Sequence, residues 1–84
     1  MPSMLSNTNL SRHDLIAISK WIEPGSKVMD LGCGNGRLLQ YLQENKQVSG
    51  YGVELNDSNV TECISNGVNV IQINLDKGLS LIHI

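Results

Sequence analysis

The sequence contains no phenylalanine, only one tryptophan and two tyrosines, and no excess of basic residues. Six lysines and arginines stand against eight aspartates and glutamates, which gives a formal net charge of −2. Proteins that bind nucleic acid or anionic membrane surfaces usually carry basic patches, often with aromatic side chains among them. We therefore expect neither a nucleic acid nor a membrane among the partners.

Cysteine is equally scarce. Cys33 and Cys63 form no CxxC pair and have no histidine or carboxylate at metal-ligand spacing, so we predict neither a disulfide framework nor a metal site. The first residues lack the basic and apolar segments of a secretory signal, and no apolar run is long enough to span a bilayer. These absences favour a reduced, cytoplasmic chain.

Hydrophobic residues make up 40% of the 84 positions, enough for one small globular unit. A capping box at Ser11 and Asp14 predicts a helix that runs to about Ile22. Three strands and two further helices then alternate. The strands are "KVMDL", "VSGYGVEL" and "VNVIQI", and the helices are "GRLLQYLQEN" and one capped by Asp57 or Ser58. This order predicts an α/β fold with three parallel strands flanked by helices.

The letters "LGCGNG" fall between the first strand and the second helix, where ligands bind in a doubly wound sheet. Gly32 permits a sharp turn, Gly34 allows a ligand to approach the backbone, and Gly36 lets the helix begin close to the strand. We also expect free N–H groups at the start of this helix. The loop is therefore the predicted ligand site.

Two further positions indicate an adenosine-containing ligand. Glu54 ends the second strand eighteen positions after Gly36, close to the spacing of about twenty expected for an acid that binds ribose. Asn74 and Asp76 follow the third strand, where adenine would lie. As an alternative, Glu54 is a solvated strand end, and Asn74 and Asp76 are ordinary loop residues.

Asp30 distinguishes between adenosine ligands. A carboxylate inside the turn would repel the pyrophosphate of a dinucleotide, and the third glycine stands one residue earlier than in G-x-G-x-x-G. S-adenosylmethionine carries an ammonium and a sulfonium at this end, which an acid favours. We therefore expect S-adenosylmethionine, and an oxidoreductase domain that binds NAD is the alternative.

The segments "VMDLGCGNG", "GYGVEL" and "VNVIQINLDKGL" resemble the first three motifs of class I S-adenosylmethionine-dependent methyltransferases. Longer stretches, including "DLIAISKWIEPGSKVMDLGCGNGRLL", resemble the methionine biosynthesis protein MetW family over about Arg12 to Leu79. The resemblance implies a Rossmann-like methyltransferase fragment with strand order 3-2-1. It also implies a role in methionine biosynthesis and a homoserine O-acyltransferase as partner. A non-catalytic regulatory partner of that acyltransferase is a further alternative.

Carried onto this sequence, the resemblance puts Asp30 and the three glycines around the methionine part of the cofactor, Glu54 on the ribose, and 74–76 beside the adenine. The family commonly has Gly-Asp where this chain has Ile73-Asn74, which removes a charge. No residue is assigned a catalytic role. The predicted cofactor site comprises Asp30, Gly32, Cys33, Gly34, Gly36, Glu54, Leu55, Asn74, Leu75 and Asp76.

We expect the chain to consist of three segments. We expect residues 1–10 to be a flexible arm and residues 11–78 to be the N-terminal half of a methyltransferase domain, without the methyl-acceptor site and inactive by itself. Residues 79–84, "LSLIHI", match one reading frame of a transposon end used in sequencing libraries. We therefore expect 79–84 to be a non-native or disordered tail.

Overall fold

The computed structural model describes residues 10–74 and 78–82 of the chain. Helices and strands alternate through most of this range, which confirms the α/β class. The helices are α1 (Arg12–Ser19), α2 (Arg37–Lys46) and α3 (Asp57–Ser65), and the strands are β1 (Lys27–Leu31), β2 (Ser49–Glu54), β3 (Val70–Asn74) and β4 (Gly78–Ile82).

The four strands form one sheet in the order β1-β2-β3-β4. β1 pairs with β2, and β2 with β3, in parallel, which confirms three parallel strands. β4 lies antiparallel to β3, with Gly78 opposite Asn74 and Ile82 opposite Val70. No strand was predicted for this last segment, since most of it falls in the expected tail. Residues 83 and 84 of that expected tail lie outside the described residues.

Helix α1 begins as expected and ends early. Ser11 Oγ accepts a hydrogen bond from the Asp14 N–H at 3.1 Å, and Asp14 Oδ2 accepts one from the Ser11 N–H at 3.0 Å. The helix ends at Ser19 and not at the predicted Ile22. The N–H of Ile22 donates to the carbonyl of Ser19, three residues back, so the last predicted turn is a tighter one.

Helix α3 begins one position earlier than a cap at Asp57 predicts, and two earlier than a cap at Ser58 predicts. Its N-cap is Asn56, whose side-chain oxygen accepts from the Asn59 N–H at 3.0 Å, and neither Asp57 nor Ser58 takes this position. Asparagine caps helices as well as aspartate or serine does, so composition alone does not separate the three. The cap matters for the site, because the N–H of Asn56 itself is bound by Glu54.

Both helices that contact the sheet contribute to one core. Its buried members are Cys33, Leu39, Val60, Cys63, Val68 and Val70, with Val28 and Ile64 packed against them. α1 packs on α2. Leu10, the last residue of the expected flexible arm, is only 2% exposed, and its carbonyl accepts a hydrogen bond from the guanidinium of Arg37. Residues 1–9 of that arm lie outside the described residues.

The opposite face of the sheet carries apolar side chains that remain in contact with solvent. Met29 is 61% exposed and Leu31 is 74% exposed. Successive strand residues face opposite sides, so these two lie away from the core that Val28 contacts. Across the described ranges, no helix is long and apolar enough to cross a membrane.

Candidate functional site

A loop with three glycines leads from the carboxyl end of β1 into α2. Gly32, Gly34 and Gly36 have φ angles of 68°, 59° and 81°, in a region that side chains rarely adopt. A Cβ at Gly36 would also lie 3.0 Å from Cys63 Sγ and 3.2 Å from Val68 Cγ2. Glycine is therefore required both for the turns and for the close packing at the start of α2.

The loop lies directly on the end of β2. The N–H groups of Gly32 and Cys33 both donate to the carbonyl of Val53, at 2.8 and 3.1 Å. A Cβ at Gly52 would lie only 2.3 Å from Cys33 Sγ. The absence of a side chain at Gly52 therefore makes room for Cys33 and lets the loop cross above the neighbouring strand.

Glu54, the last residue of β2, connects two loops. Its Oε1 accepts a hydrogen bond from the Gly34 N–H at 2.9 Å, and its Oε2 accepts one from the Asn56 N–H at 3.0 Å. Both oxygens therefore have a backbone donor, and each retains acceptor capacity for another group. The carboxylate is held in a fixed position at the carboxyl edge of the sheet.

Three N–H groups of the loop and the first turn of α2 are bound within the protein. The Gly34 N–H is bound by Glu54, and the Gly36 N–H donates to the Cys33 carbonyl at 3.0 Å. The Arg37 N–H donates to Asn35 Oδ1 at 3.0 Å, because this side chain folds back over the first turn. These donors of the loop are directed into the protein.

Asp30 supplies a second carboxylate beside the loop. It is half-buried in β1, pairs with Gly52 of β2, and interacts with other groups of the protein. The charges of Asp30 and Glu54 both contribute to raising the pKa of Cys33, although burial is the main cause. Two acidic groups therefore lie near the same loop.

A cleft of about 240 Å³ opens at the carboxyl ends of β1, β2 and β3. Gly32, Glu54 and Leu55, all predicted site residues, are part of its lining. The cleft is also lined by Leu31, Val53 and Ile73, which were not predicted as site residues. As aliphatic residues of predicted strands they were assigned only to the hydrophobic core. Each is the last apolar residue of its strand, and this position is the signal that could have identified it.

Among the other predicted site residues, Asp30, Cys33, Gly34 and Gly36 do not line this cleft. Cys33 is fully buried, so its side chain is inaccessible to a ligand. Asn74 ends β3, opposite Gly78 in β4. Leu75 and Asp76, predicted near the adenine, lie outside the described residues.

The two thiols belong to the core, and neither is accessible to a substrate in the folded structure. Burial raises the pKa of Cys33 and of Cys63, so both stay protonated at neutral pH. The described part of the chain contains no cluster of three or more histidine, cysteine, aspartate or glutamate side chains that could hold a metal ion.

Comparison with known proteins agrees with the motif resemblance. Residues 12–83 match the family described as methionine biosynthesis protein MetW. The chain belongs to the MetW family. A curated relative from Rhodopirellula baltica, the bifunctional methionine biosynthesis protein MetXA/MetW, is 35% identical in an alignment of 71 residues that covers 75% of this chain. The MetW match links the chain to methionine biosynthesis.

The MetW match extends to residue 83 and so includes β4. The chain spans 11% of the length of the bifunctional relative. No solved structure matches the chain.

Proposed function

We propose that this member of the MetW family is the S-adenosylmethionine-binding half of a Rossmann-like methyltransferase domain. Its first three strands are parallel neighbours, as the order 3-2-1 requires. The glycine loop lies at their carboxyl edge, which is the ligand-binding edge of open α/β sheets. When bound, S-adenosylmethionine supplies an activated methyl group, and this chain's residues hold the cofactor.

The balance of donors and acceptors around the loop carries the proposal. Asp30 and Glu54 bring two carboxylates to the loop, while the N–H groups of Gly34 and Gly36 donate within the protein. A dinucleotide pyrophosphate is repelled by acids placed beside it. A ligand with an ammonium, a sulfonium and ribose hydroxyls has the complementary chemistry.

The residues present fit such a ligand. Glu54 has remaining acceptor capacity for the two ribose hydroxyls. Leu31, Leu55 and Ile73 give the adjoining cleft an apolar lining suited to the flat adenine ring. We assign Asp30 and the glycine loop to the amino-acid end of S-adenosylmethionine.

Isothermal titration calorimetry with the full chain tests the proposal, after circular dichroism has verified that each variant is folded. We expect binding of S-adenosylmethionine and none of NAD. Asp30→Asn and Glu54→Gln should each weaken binding about tenfold or more, since a charged hydrogen bond contributes roughly 1.5–3 kcal/mol. Glu44→Gln, an exposed change on α2, is the matched control. NAD binding alone, or unchanged affinity in both site variants, would refute the assignment.

A second function, regulation of a homoserine O-acyltransferase without methyl transfer, is favoured by one observation. The Rhodopirellula baltica relative is named as bifunctional, with MetXA and MetW in one polypeptide. Proteins joined in one chain often act on connected steps. Stoichiometric co-purification of the acyltransferase with a full-length MetW protein, together with no methylated product, would support this alternative over methyl transfer.

A further inference from the structure

A pair of thiols lies beneath the glycine loop, and their sulfur atoms have no part in the proposed function. Cys33 Sγ and Cys63 Sγ are 3.6 Å apart, although 30 residues separate them in the sequence. Both side chains are fully buried. One thiol belongs to the loop and the other to the last turn of α3, so the pair brings together two elements that are distant in the sequence.

Both thiols are directed toward the same backbone oxygen. The carbonyl of Gly34 lies 3.2 Å from Cys63 Sγ and 3.7 Å from Cys33 Sγ. In the reduced protein, the S–H groups thus act as weak donors to the centre of the loop. A reaction that removes the S–H hydrogens therefore removes the hydrogen bonds that these thiols donate to the loop.

We infer that Cys33 and Cys63 are a disulfide-forming site for small disulfide oxidants such as glutathione disulfide. A disulfide has an S–S distance of about 2.05 Å, so the sulfurs must approach by roughly 1.5 Å. The crosslink would tie the glycine loop to α3 and remove both S–H donors from the Gly34 carbonyl. Effects of this crosslink do not depend on which cofactor the loop binds.

The chemistry is an ordinary thiol–disulfide exchange. One cysteine loses its proton to solvent, and its thiolate attacks a sulfur of glutathione disulfide, which forms a mixed disulfide and releases one glutathione thiolate. The second cysteine, deprotonated in turn, attacks the protein sulfur and releases the second glutathione. Two protein thiols are oxidised and one glutathione disulfide is reduced to two glutathiones. Because both thiols are buried, the first attack requires a transient opening of the loop.

Equilibration of the full chain with glutathione buffers of known ratio tests the inference. Acid quenching and mass spectrometry then give the equilibrium constant for the intramolecular disulfide. We expect this constant to be about tenfold or more larger under native conditions than in urea, because the fold holds the thiols together. After trypsin digestion, the crosslink should join the peptides 28–37 and 47–77.

Two results would overturn the inference: a native constant equal to or below the unfolded one, or mixed disulfides and dimers in place of the crosslink. Cys33→Ser and Cys63→Ser serve as controls that cannot form the internal bond. The comparison of the native and urea-unfolded wild-type chain needs no variant, so it remains valid if a variant fails to fold. Since no cofactor enters the measurement, failure here is separate from failure of S-adenosylmethionine binding.

Discussion

The Gly34 N–H donates a hydrogen bond of 2.9 Å to the Glu54 carboxylate, across 20 residues of sequence. The second oxygen of the same carboxylate accepts from the N–H of Asn56, the residue that caps α3. One side chain therefore fixes both the glycine loop and the entry to the next helix. The shape of the proposed cofactor site depends on Glu54 before any ligand binds.

Glu54→Gln should lower the free energy of unfolding. An amide has a single acceptor oxygen, so one of the two backbone N–H groups would face an NH2 donor and lose its bond. We expect a loss of about 1–3 kcal/mol, measured by urea denaturation followed by circular dichroism. Glu44→Gln, the exposed control, should change stability by less than about 0.5 kcal/mol. Equal losses in the two variants would contradict the bridging role.

Gly52→Ala should be strongly destabilising for a steric reason. The new Cβ would lie 2.3 Å from Cys33 Sγ and 2.7 Å from Cys33 Cβ, inside the core. We expect a loss of about 1–3 kcal/mol or more in a thermal or urea melt. Combining it with Cys33→Ala should restore only part of the loss, because the contact between the two Cβ atoms remains.

The matched control is Gly67→Ala, where a Cβ would meet no atom within 4 Å but the φ angle is 75°. Its cost, about 1–2 kcal/mol, comes from backbone strain alone. Cys33→Ala should leave this cost unchanged. Full rescue of Gly52→Ala, or rescue of both glycine variants to the same degree, would show that crowding at Cys33 is not the cause.

Stability should fall at alkaline pH because of the buried thiols. Burial raises the pKa of Cys33 and Cys63 above the ordinary value of 9.0. Above about pH 9 the unfolded chain therefore releases thiol protons that the folded chain retains, which favours unfolding. The slope should reach at most about 1.4 kcal/mol per pH unit for each thiol. Below that pH, both states keep their protons and this contribution vanishes.

Urea melts from neutral pH to about pH 10 measure this dependence. Cys63→Ala should be less stable at every pH, since it leaves a cavity, but its decline above pH 9 should be shallower. Because only the slope reports the thiol, the cavity does not obscure the comparison. Parallel curves for the wild type and the variant would count against a buried, neutral Cys63.

Gln47→Gly should raise stability. Gln47 follows α2 with a φ angle of 53°, a conformation that glycine adopts far more easily. We expect the free energy of unfolding to rise by about 0.5–1 kcal/mol. The relief of backbone strain is the favourable part, and the greater freedom of glycine in the unfolded chain offsets some of it. Glu44→Gly, within α2, should instead lose about 0.5–1 kcal/mol. A loss in both variants would mean that the strain at Gln47 is negligible.

Local sequence signals predicted the alternation of elements and several of their boundaries. The Ser11 and Asp14 capping box, the strand "KVMDL" and the need for glycine at Gly36 all depend on neighbours in the chain or on a simple backbone requirement. The end of α1 was misjudged, because apolar spacing up to Ile22 does not reveal that the last turn tightens.

Contacts between distant residues could not be read from the sequence. Three N–H groups of the loop and the first turn of α2 are bound by the Glu54 and Asn35 side chains and by the Cys33 carbonyl, and nothing in the motif specifies these partners. The approach of Cys33 to Cys63 likewise depends on how α3 crosses the sheet. The motif predicted where the glycine loop lies, and tertiary packing determines which donors and acceptors the loop presents.

The face of β1 that carries Met29 and Leu31 affects how the protein must be handled. These side chains are 61% and 74% exposed, and they lie on a strand at the end of the sheet order. Among the described residues no strand pairs with the outer edge of β1, and an apolar strand that is unpaired on one side favours precipitation at high concentration and inclusion bodies during overexpression. A lysine at either position should improve yield with little loss of fold, which makes the soluble fraction after cell lysis the practical measure of this surface.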